Sequence, residues 1–176
     1  MKRNHLRLMI LAALCCALIT AGTQIRIPFF LGVPLTLQTP MIQVAALCLP
    51  APYGIYSVLL YLLLGAAGFP VFAYGGGLAY FFEKTGGYLF GFLIATVPLQ
   101  RYRSYWVSSR ARLLASLFLH TMIIFVCGIL WHANLEKIPL TTLFAAMTPF
   151  YIAAVVKLFF SLFLITALNR RLRHLH

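Results

Sequence analysis

Lys157 stands alone inside the apolar run PFYIAAVVKLFFSLFLITAL, residues 149–168. A charge at the centre of a lipid-facing helix is unfavourable by roughly 2.5–3.5 kcal/mol on insertion scales, and intramembrane ionisable residues usually mark a site with a definable partner. The chain offers only two acids, Glu83 and Glu136. The partner is therefore one of these, a set of dipoles, or an anion that comes from outside. At three- and four-residue spacing, Phe150, Ala153, Ala154, Lys157 and Ser161 share one helix face. The alanines leave room beside the ammonium. Snorkelling toward the headgroups is the competing explanation. Lys157 lies eight residues past Pro149, about 12 Å at the helical rise, which is close to the midplane of a roughly 30 Å hydrocarbon core. That depth strains the alternative.

Two other segments carry groups suited to binding. Residues 24–40, QIRIPFFLGVPLTLQTP, place Thr36, Gln38 and Thr39 among Leu35 and Leu37. This short alternation predicts an extended or hairpin segment able to fold back over a cavity. Residues 69–88, FPVFAYGGGLAYFFEKTGGY, combine Gly75, Gly76, Gly77, Gly86 and Gly87 with a dense set of aromatic rings. Glycine permits close backbone approach and aromatic rings give flat apolar walls. Together they suit a small, partly apolar ligand. An interfacial aromatic belt is the structural alternative. The triple glycine is not a phosphate loop, because it lacks the preceding strand and the Lys-Ser/Thr ending. Tyr53, Ser57, Tyr61 and Gly65 recur every four residues. Of these, Tyr61 and Gly65 fall nearer the expected outer end and are the site neighbours, unless the stripe serves helix packing alone.

Enzyme chemistry finds no machinery. No catalytic triad or paired carboxylates can be assembled, and His5, His120, His132, His174 and His176 are scattered. His120 is expected to be a hydrogen-bonded helix residue. Cys15, Cys16, Cys48 and Cys127 lie in apolar segments without Cys-x-x-Cys spacing, so they read as small buried residues rather than a metal or redox site. No Walker A motif is present, and ATP hydrolysis by that machinery is excluded. A binding or transport protein without cofactor or metal is favoured.

These residues must be positioned by membrane helices. The chain of 176 residues is 62% hydrophobic and 9% charged, far from the roughly 25% charge of soluble domains. Between Arg26 and Glu83 it has no charged residue. Apolar segments at 6–25, 39–49, 53–68, 87–99, 113–131 and Thr148–Asn169 predict an all-α, six-helix integral membrane protein, a single domain over 1–176, with long outer loops capping a ligand cavity. The second and fourth segments are shorter than a span. The opening Lys2, Arg3 and Arg7 followed by an apolar run reads as a retained first helix rather than a signal peptide. The net charge of +12 does not mark nucleic-acid binding. Ten of its fourteen basic residues cluster as Lys2, Arg3, Arg7, then Arg101, Arg103, Arg110, Arg112, then Arg170, Arg171, Arg173, each group flanking apolar segments. That is the positive-inside pattern and places both termini in the cytoplasm. The outer loops are then 26–38, 69–86 and 132–147, which hold both acids. Ala13, Ala17 and Ala21, four apart on the first helix, form a small-residue face for a helix of this chain or of another subunit.

Taken jointly, several motifs resemble the BioY family, the biotin-binding S components of energy-coupling-factor (ECF) transporters of prokaryotic cell membranes. They are Gln24-Ile-Arg-Ile-Pro28, Val33-Pro-Leu-Thr-Leu-Gln-Thr39, Tyr61-Leu-Leu-Leu-Gly-Ala-Ala-Gly-Phe-Pro-Val-Phe72, Gly75-Gly-Gly-Leu, Thr85-Gly-Gly-Tyr-Leu-Phe-Gly-Phe92, Pro149-Phe150 and Lys157. The resemblance implies an S-component fold that captures biotin at the outer face. It also implies partners, an ECF transmembrane subunit docked on Ala13, Ala17 and Ala21 and two ATPase subunits, although some members work alone. The ligand set it implies comprises Lys157, Ala154, Thr36, Gln38, Tyr61, Gly75, Gly76, Gly77, Tyr80, Thr85, Gly86 and Tyr88, with Arg26 at the entrance. Lys157 would meet the ureido oxygen or the carboxylate, with Arg26 and Lys84 as competing carboxylate partners. Two departures stand out. The family's Pro-Gly-Asp before this lysine is Ile152, Ala153, Ala154 here, and its Gly-Pro before Thr-Gly-Gly-Tyr is Glu83-Lys84. Glu83 is then the candidate to replace the missing aspartate in space. An S component for another vitamin or a biotin analogue, and a structural membrane subunit without ligand, are the alternative readings.

Overall fold

The computed structural model describes residues 2–27 and 33–173, with side chains for residues 3–27 and 33–169. Pro28, the 29–32 stretch after it, and the side chains of Lys2, Arg170, Arg171 and Arg173 lie outside that range. The described elements are α1 (Lys2–Gln24), β1 (Arg26–Ile27), β2 (Leu35–Thr36), α2 (Gln38–Cys48), α3 (Tyr53–Ala66), a 3-10 helix (Leu78–Phe82), α4 (Gly86–Arg101), α5 (Arg103–Trp106), α6 (Arg110–Glu136), α7 (Leu140–Ala146) and α8 (Thr148–Arg173).

Six of these helices form the bundle, in the order read from the sequence. Three of them, at Arg3–Gln24, Arg110–Glu136 and Thr148–Asn169, are individually long and apolar enough to cross a bilayer. The outward faces of α1 (Leu6, Met9, Ile10, Leu14) and α8 (Ile152, Val155, Val156, Phe159, Phe163) are more than half exposed. Contiguous apolar surface of this kind requires lipid around it.

The short second helix is explained by its place. α2 packs against α1, α3, α4 and α8 at once, and Gln38 and Pro40 through Leu47 are all buried. Proline limits its length, with Pro40 in its first turn and Pro50 and Pro52 just past its end, positions at which a helix starts or stops. A central helix needs no lipid-facing length, because neighbouring helices cover it on its sides.

α4 and α6 approach closely because glycines line their contact. A Cβ on Gly87 would meet Trp131 and the Cys127 carbonyl, one on Gly91 would meet Cys127 and Ile124, and one on Gly128 would meet the Tyr88 ring. Small residues at such positions let membrane helices pack by van der Waals contact.

Two expected loops are more helical than the sequence suggested. α6 continues to Glu136, its last turn held by a His132–Glu136 contact of 2.9 Å at i, i+4. It stops at Lys137, whose φ of 56° is left-handed. α7 then fills much of the remaining 132–147 connection. At the other end of the bundle, α5 occupies the 99–113 connection, and Arg103 Nε donates to the Leu47 carbonyl at 2.6 Å, satisfying an orphan acceptor at the end of α2.

The hairpin lies where alternation predicted extended structure. β1 and β2 pair antiparallel, Arg26 with Thr36 and Ile27 with Leu35. The 69–85 segment folds over the same end of the bundle. Gln24 Nε2 donates to the Pro70 and Phe72 carbonyls at 3.3 and 3.4 Å. Gly77 N donates to the Gly65 carbonyl at 2.7 Å, and Trp131 Nε1 to the Glu83 carbonyl at 2.9 Å.

Candidate functional site

A cavity of about 790 Å³, counting the space at its mouth, opens beneath the hairpin and the 69–85 segment. Its walls come from the hairpin, α2, α3, α4, α6 and α8 together. Its lining includes Thr36, Gln38, Tyr80, Thr85 and Tyr88, from the hairpin, the covering segment and the first turns of α2 and α4, and Gln43, Thr121, Ala154 and Lys157 from farther along α2, α6 and α8. Phe72, Phe92, Phe125 and Phe150 supply apolar wall. The arrangement is that of a small-ligand site, mostly apolar with a few placed polar groups.

Tyr61 holds the roof. Its hydroxyl accepts from Gln38 Nε2 at 2.8 Å, donates to the Val71 carbonyl at 3.2 Å and lies 3.3 Å from Thr23 Oγ1. One side chain thereby ties α3 to α1, to the start of α2 and to the 69–85 segment. Its ring meets Phe72 edge-on at 5.4 Å, and Phe72 meets Tyr80 at 4.9 Å. Gly65 is part of this arrangement, because a Cβ there would meet the Phe72 ring. Burial raises the Tyr80 phenol above its ordinary pKa and keeps it a neutral hydrogen-bonding group. Tyr61→Phe should leave Gln38 without its acceptor and the Val71 carbonyl without its donor. A destabilisation of about 1–3 kcal/mol is expected, read as a lower midpoint of thermal unfolding in detergent micelles. An unchanged midpoint would contradict the roof role.

Lys157 and Ala154 both line the cavity, so the lysine faces an internal space rather than the lipid surface. Neither acid reaches it. Glu136 is engaged by Lys84 and His132, and the Glu83 side chain is exposed, its backbone carbonyl holding Trp131. The proposed replacement of the missing aspartate by Glu83 is therefore corrected, since the 3-10 helix carries Glu83 outward instead of letting it dip beside Ala154. Among the described residues Lys157 has no carboxylate partner. Lys84, named as a competing carboxylate partner, pairs with Glu136.

Of the expected ligand set, the fold gathers Thr36, Gln38, Tyr61, Tyr80, Thr85, Tyr88, Ala154 and Lys157 around one cavity. Gly75, Gly76, Gly77, Gly86 and Arg26 do not line it. Gly75 and Gly77, with φ of 136° and 109°, turn the chain. Gly76 lies against the Phe69 carbonyl, and Gly86 against the Phe81 carbonyl, where a Cβ would collide with backbone. These glycines shape the cover rather than its inner surface. Arg26 is exposed at the hairpin, with its guanidinium 5.2 Å from the Tyr74 ring centroid. Ala13, Ala17 and Ala21 are exposed, so none of the described helices covers that face.

Sequence reasoning passed over Gln43 and Thr121. Both line the cavity, and both belong to a buried network with His120, which is hydrogen-bonded as expected. The available signal was an amide within an uncharged run, a polar group that lipid would not tolerate without partners.

The sequence model of the BioY family matches residues 1–174. This chain belongs to the BioY family. Among relatives of this BioY chain, the "Probable biotin transporter BioY" of Pyrococcus horikoshii is 39% identical over 125 residues, 70% of this chain and 73% of that one. The "Biotin transporter BioY" of Thermotoga maritima is 46% identical over 91 residues, 51% of this chain and 53% of its own. The "Biotin transporter BioY" of Rhizobium etli is 30% identical over 160 residues, covering 85% and 86%. A solved structure described as the S-component for biotin from an ECF-type ABC transporter superposes with a TM-score of 0.83 at 24% identity, over 97% of this chain and 94% of that one. That likeness is one of fold. BioY membership makes this a membrane transport protein rather than an enzyme.

Proposed function

We propose that this chain is the membrane-embedded subunit that captures biotin for uptake. The observation that carries the proposal is the cavity: a single lysine without an acid, walled by aromatic rings, in a BioY-family chain. Biotin is compact, with an apolar bicycle, a ureido group that accepts and donates hydrogen bonds, and an anionic tail. Lys157 supplies the donors, the rings supply apolar wall, and Thr36, Gln38, Tyr80 and Thr85 supply neutral hydrogen-bonding groups.

The positive-inside distribution supports a prokaryotic cell-membrane protein with both termini in the cytoplasm and the hairpin end outside. The bare Ala13, Ala17 and Ala21 face suits close approach by a transmembrane subunit of an ECF complex, energised by two ATPase subunits, with solitary function as the alternative. Binding of radiolabelled biotin to the purified chain in micelles tests the ligand. Saturable binding displaced by unlabelled biotin and not by other vitamins is expected. No saturable biotin binding together with saturable binding of another radiolabelled vitamin would reassign the substrate, and no saturable binding of any labelled vitamin would leave a structural subunit.

A further inference from the structure

Gln43 sits more than a turn inside α2 and is almost fully buried, with 1% of its surface exposed. Its amide nitrogen lies 3.1 Å from the Leu117 carbonyl, 3.2 Å from Thr121 Oγ1 and 3.3 Å from His120 Nδ1. The direction of every bond in this network follows from two hydroxyls. Thr121 Oγ1 donates to the Leu117 carbonyl at 2.8 Å, and Thr96 Oγ1 donates to the Phe92 carbonyl at 2.6 Å. Each hydroxyl has used its one hydrogen and can only accept from other groups. Thr96 Oγ1, 3.5 Å from His120 Nε2, therefore receives the imidazole N–H. That leaves His120 Nδ1 as an acceptor, so it takes its hydrogen from Gln43.

The orientation of the Gln43 amide is thus determined by its neighbours. The Leu117 carbonyl, Thr121 Oγ1 and His120 Nδ1 are all acceptors, and turning the amide over would set Oε1 against three lone pairs. Nε2 has two hydrogens to share among them, and both are used. Oε1 bonds to no donor among the described residues, while Gln43 itself lines the cavity. A cavity-facing acceptor has been built and left open to an incoming donor. An acceptor on α2 and a lysine on α8, one accepting and the other only donating, match a group that carries a carbonyl and an N–H side by side. A cyclic urea is such a group. A carboxylate in the same place would satisfy Lys157 but confront Oε1 with like charge.

We infer that Gln43 is a specificity-determining residue of this chain, its Oε1 accepting a ligand N–H while His120, Thr121 and the Leu117 carbonyl hold the amide in place. The inference rests on the biotin reading and deepens it, placing the ureido ring at the Gln43–Lys157 level and the acidic tail toward the mouth. It also gives the site an acceptor where Ala154 offers none.

The test uses the purified full-length chain and three ligands: biotin, and two cyclic carbamates in which one or the other ureido N–H is replaced by oxygen. The replacement conserves size and turns a donor into an acceptor. For the wild-type chain, one carbamate is expected to bind about tenfold or more weaker than biotin. Gln43→Leu should weaken biotin about tenfold and bring biotin and that carbamate within about threefold of each other. Gln43→Met, closer to glutamine in length, serves if the leucine variant does not fold. A wild-type chain that binds both carbamates as well as biotin overturns the inference without any variant. So does a variant whose discrimination between biotin and the carbamates is unchanged, because that would make Gln43 a packing residue only. A wild-type chain that binds no biotin overturns the proposed function together with this inference.

Discussion

Lys157→Met is expected to weaken biotin binding by about 10- to 100-fold, corresponding to one charge-assisted hydrogen bond of about 1.5–3 kcal/mol. Methionine conserves the length of the stem and its packing beside Ala154 while deleting the donor and the charge. The prediction has a second part that separates binding from folding. Lys157 has no acid among the described residues, so its charge stays in the cavity uncompensated by protein. Removing an uncompensated charge from a low-dielectric site does not destabilise a fold. The unliganded variant should therefore unfold at the same temperature as wild type or higher. Isothermal titration of biotin into both proteins, with thermal unfolding of the same samples, measures both parts. Unchanged affinity would remove Lys157 from the site. A fall in both affinity and stability would mean that it serves the fold instead.

Gly87→Val should destabilise the chain by about 1–3 kcal/mol, and by more if the helices must separate. The added carbons have no space, since the first of them already meets Trp131 and the Cys127 carbonyl across the α4–α6 contact. Backbone on one side and an indole ring on the other leave no flexible side chain to yield. Tyr88, the next residue, lines the cavity and seats its ring against Gly128, so separation of these helices would also widen the site. The expected result is a lower unfolding midpoint together with weaker ligand binding. Ala13→Val is the matched control, a similar enlargement on an exposed helix face, and should leave the isolated chain's midpoint unchanged. If both substitutions behave alike, the glycine contact is not what holds α4 to α6.

Much of the architecture was legible because lipid leaves so few options. A run of apolar residues without charges must be helical when no water can satisfy its backbone. The six segments, their order and the hairpin before α2 all followed from that rule and from local alternation. The 132–147 connection was misjudged because polarity was read as loop. His132, Asn134 and Glu136 are helical, and the His132–Glu136 pair supports their turn. Hydropathy reports the solvent around a segment, and a helix that leaves the membrane keeps its backbone bonds.

Candidate residues were legible in proportion to how much their type constrained their surroundings. Lys157 declared itself because a charge in lipid requires a reason. Tyr61 stood out on a polar stripe, and the structure showed it tying three elements together. Gly76 and Gly86 carried a correct signal of close approach, but the chain approaches itself there, at Phe69 and Phe81, while Gly75 and Gly77 serve positive φ with open space around them. A glycine pattern shows that something comes near and not what it is.

By itself, the sequence determined a polytopic helical membrane protein with a lone buried lysine, an aromatic-glycine cover and no enzymatic machinery. Those conclusions depend on single residues and on local period, which the chain carries without folding. Only the tertiary structure decided that Glu83 turns outward and Glu136 pairs with Lys84, so that Lys157 meets neither. It also decided that Gln43 faces the same cavity with its amide oriented by His120 and Thr121. Partners 77 and 78 residues apart in sequence become neighbours only when α2 is buried at the centre of the bundle, and no local pattern records that packing.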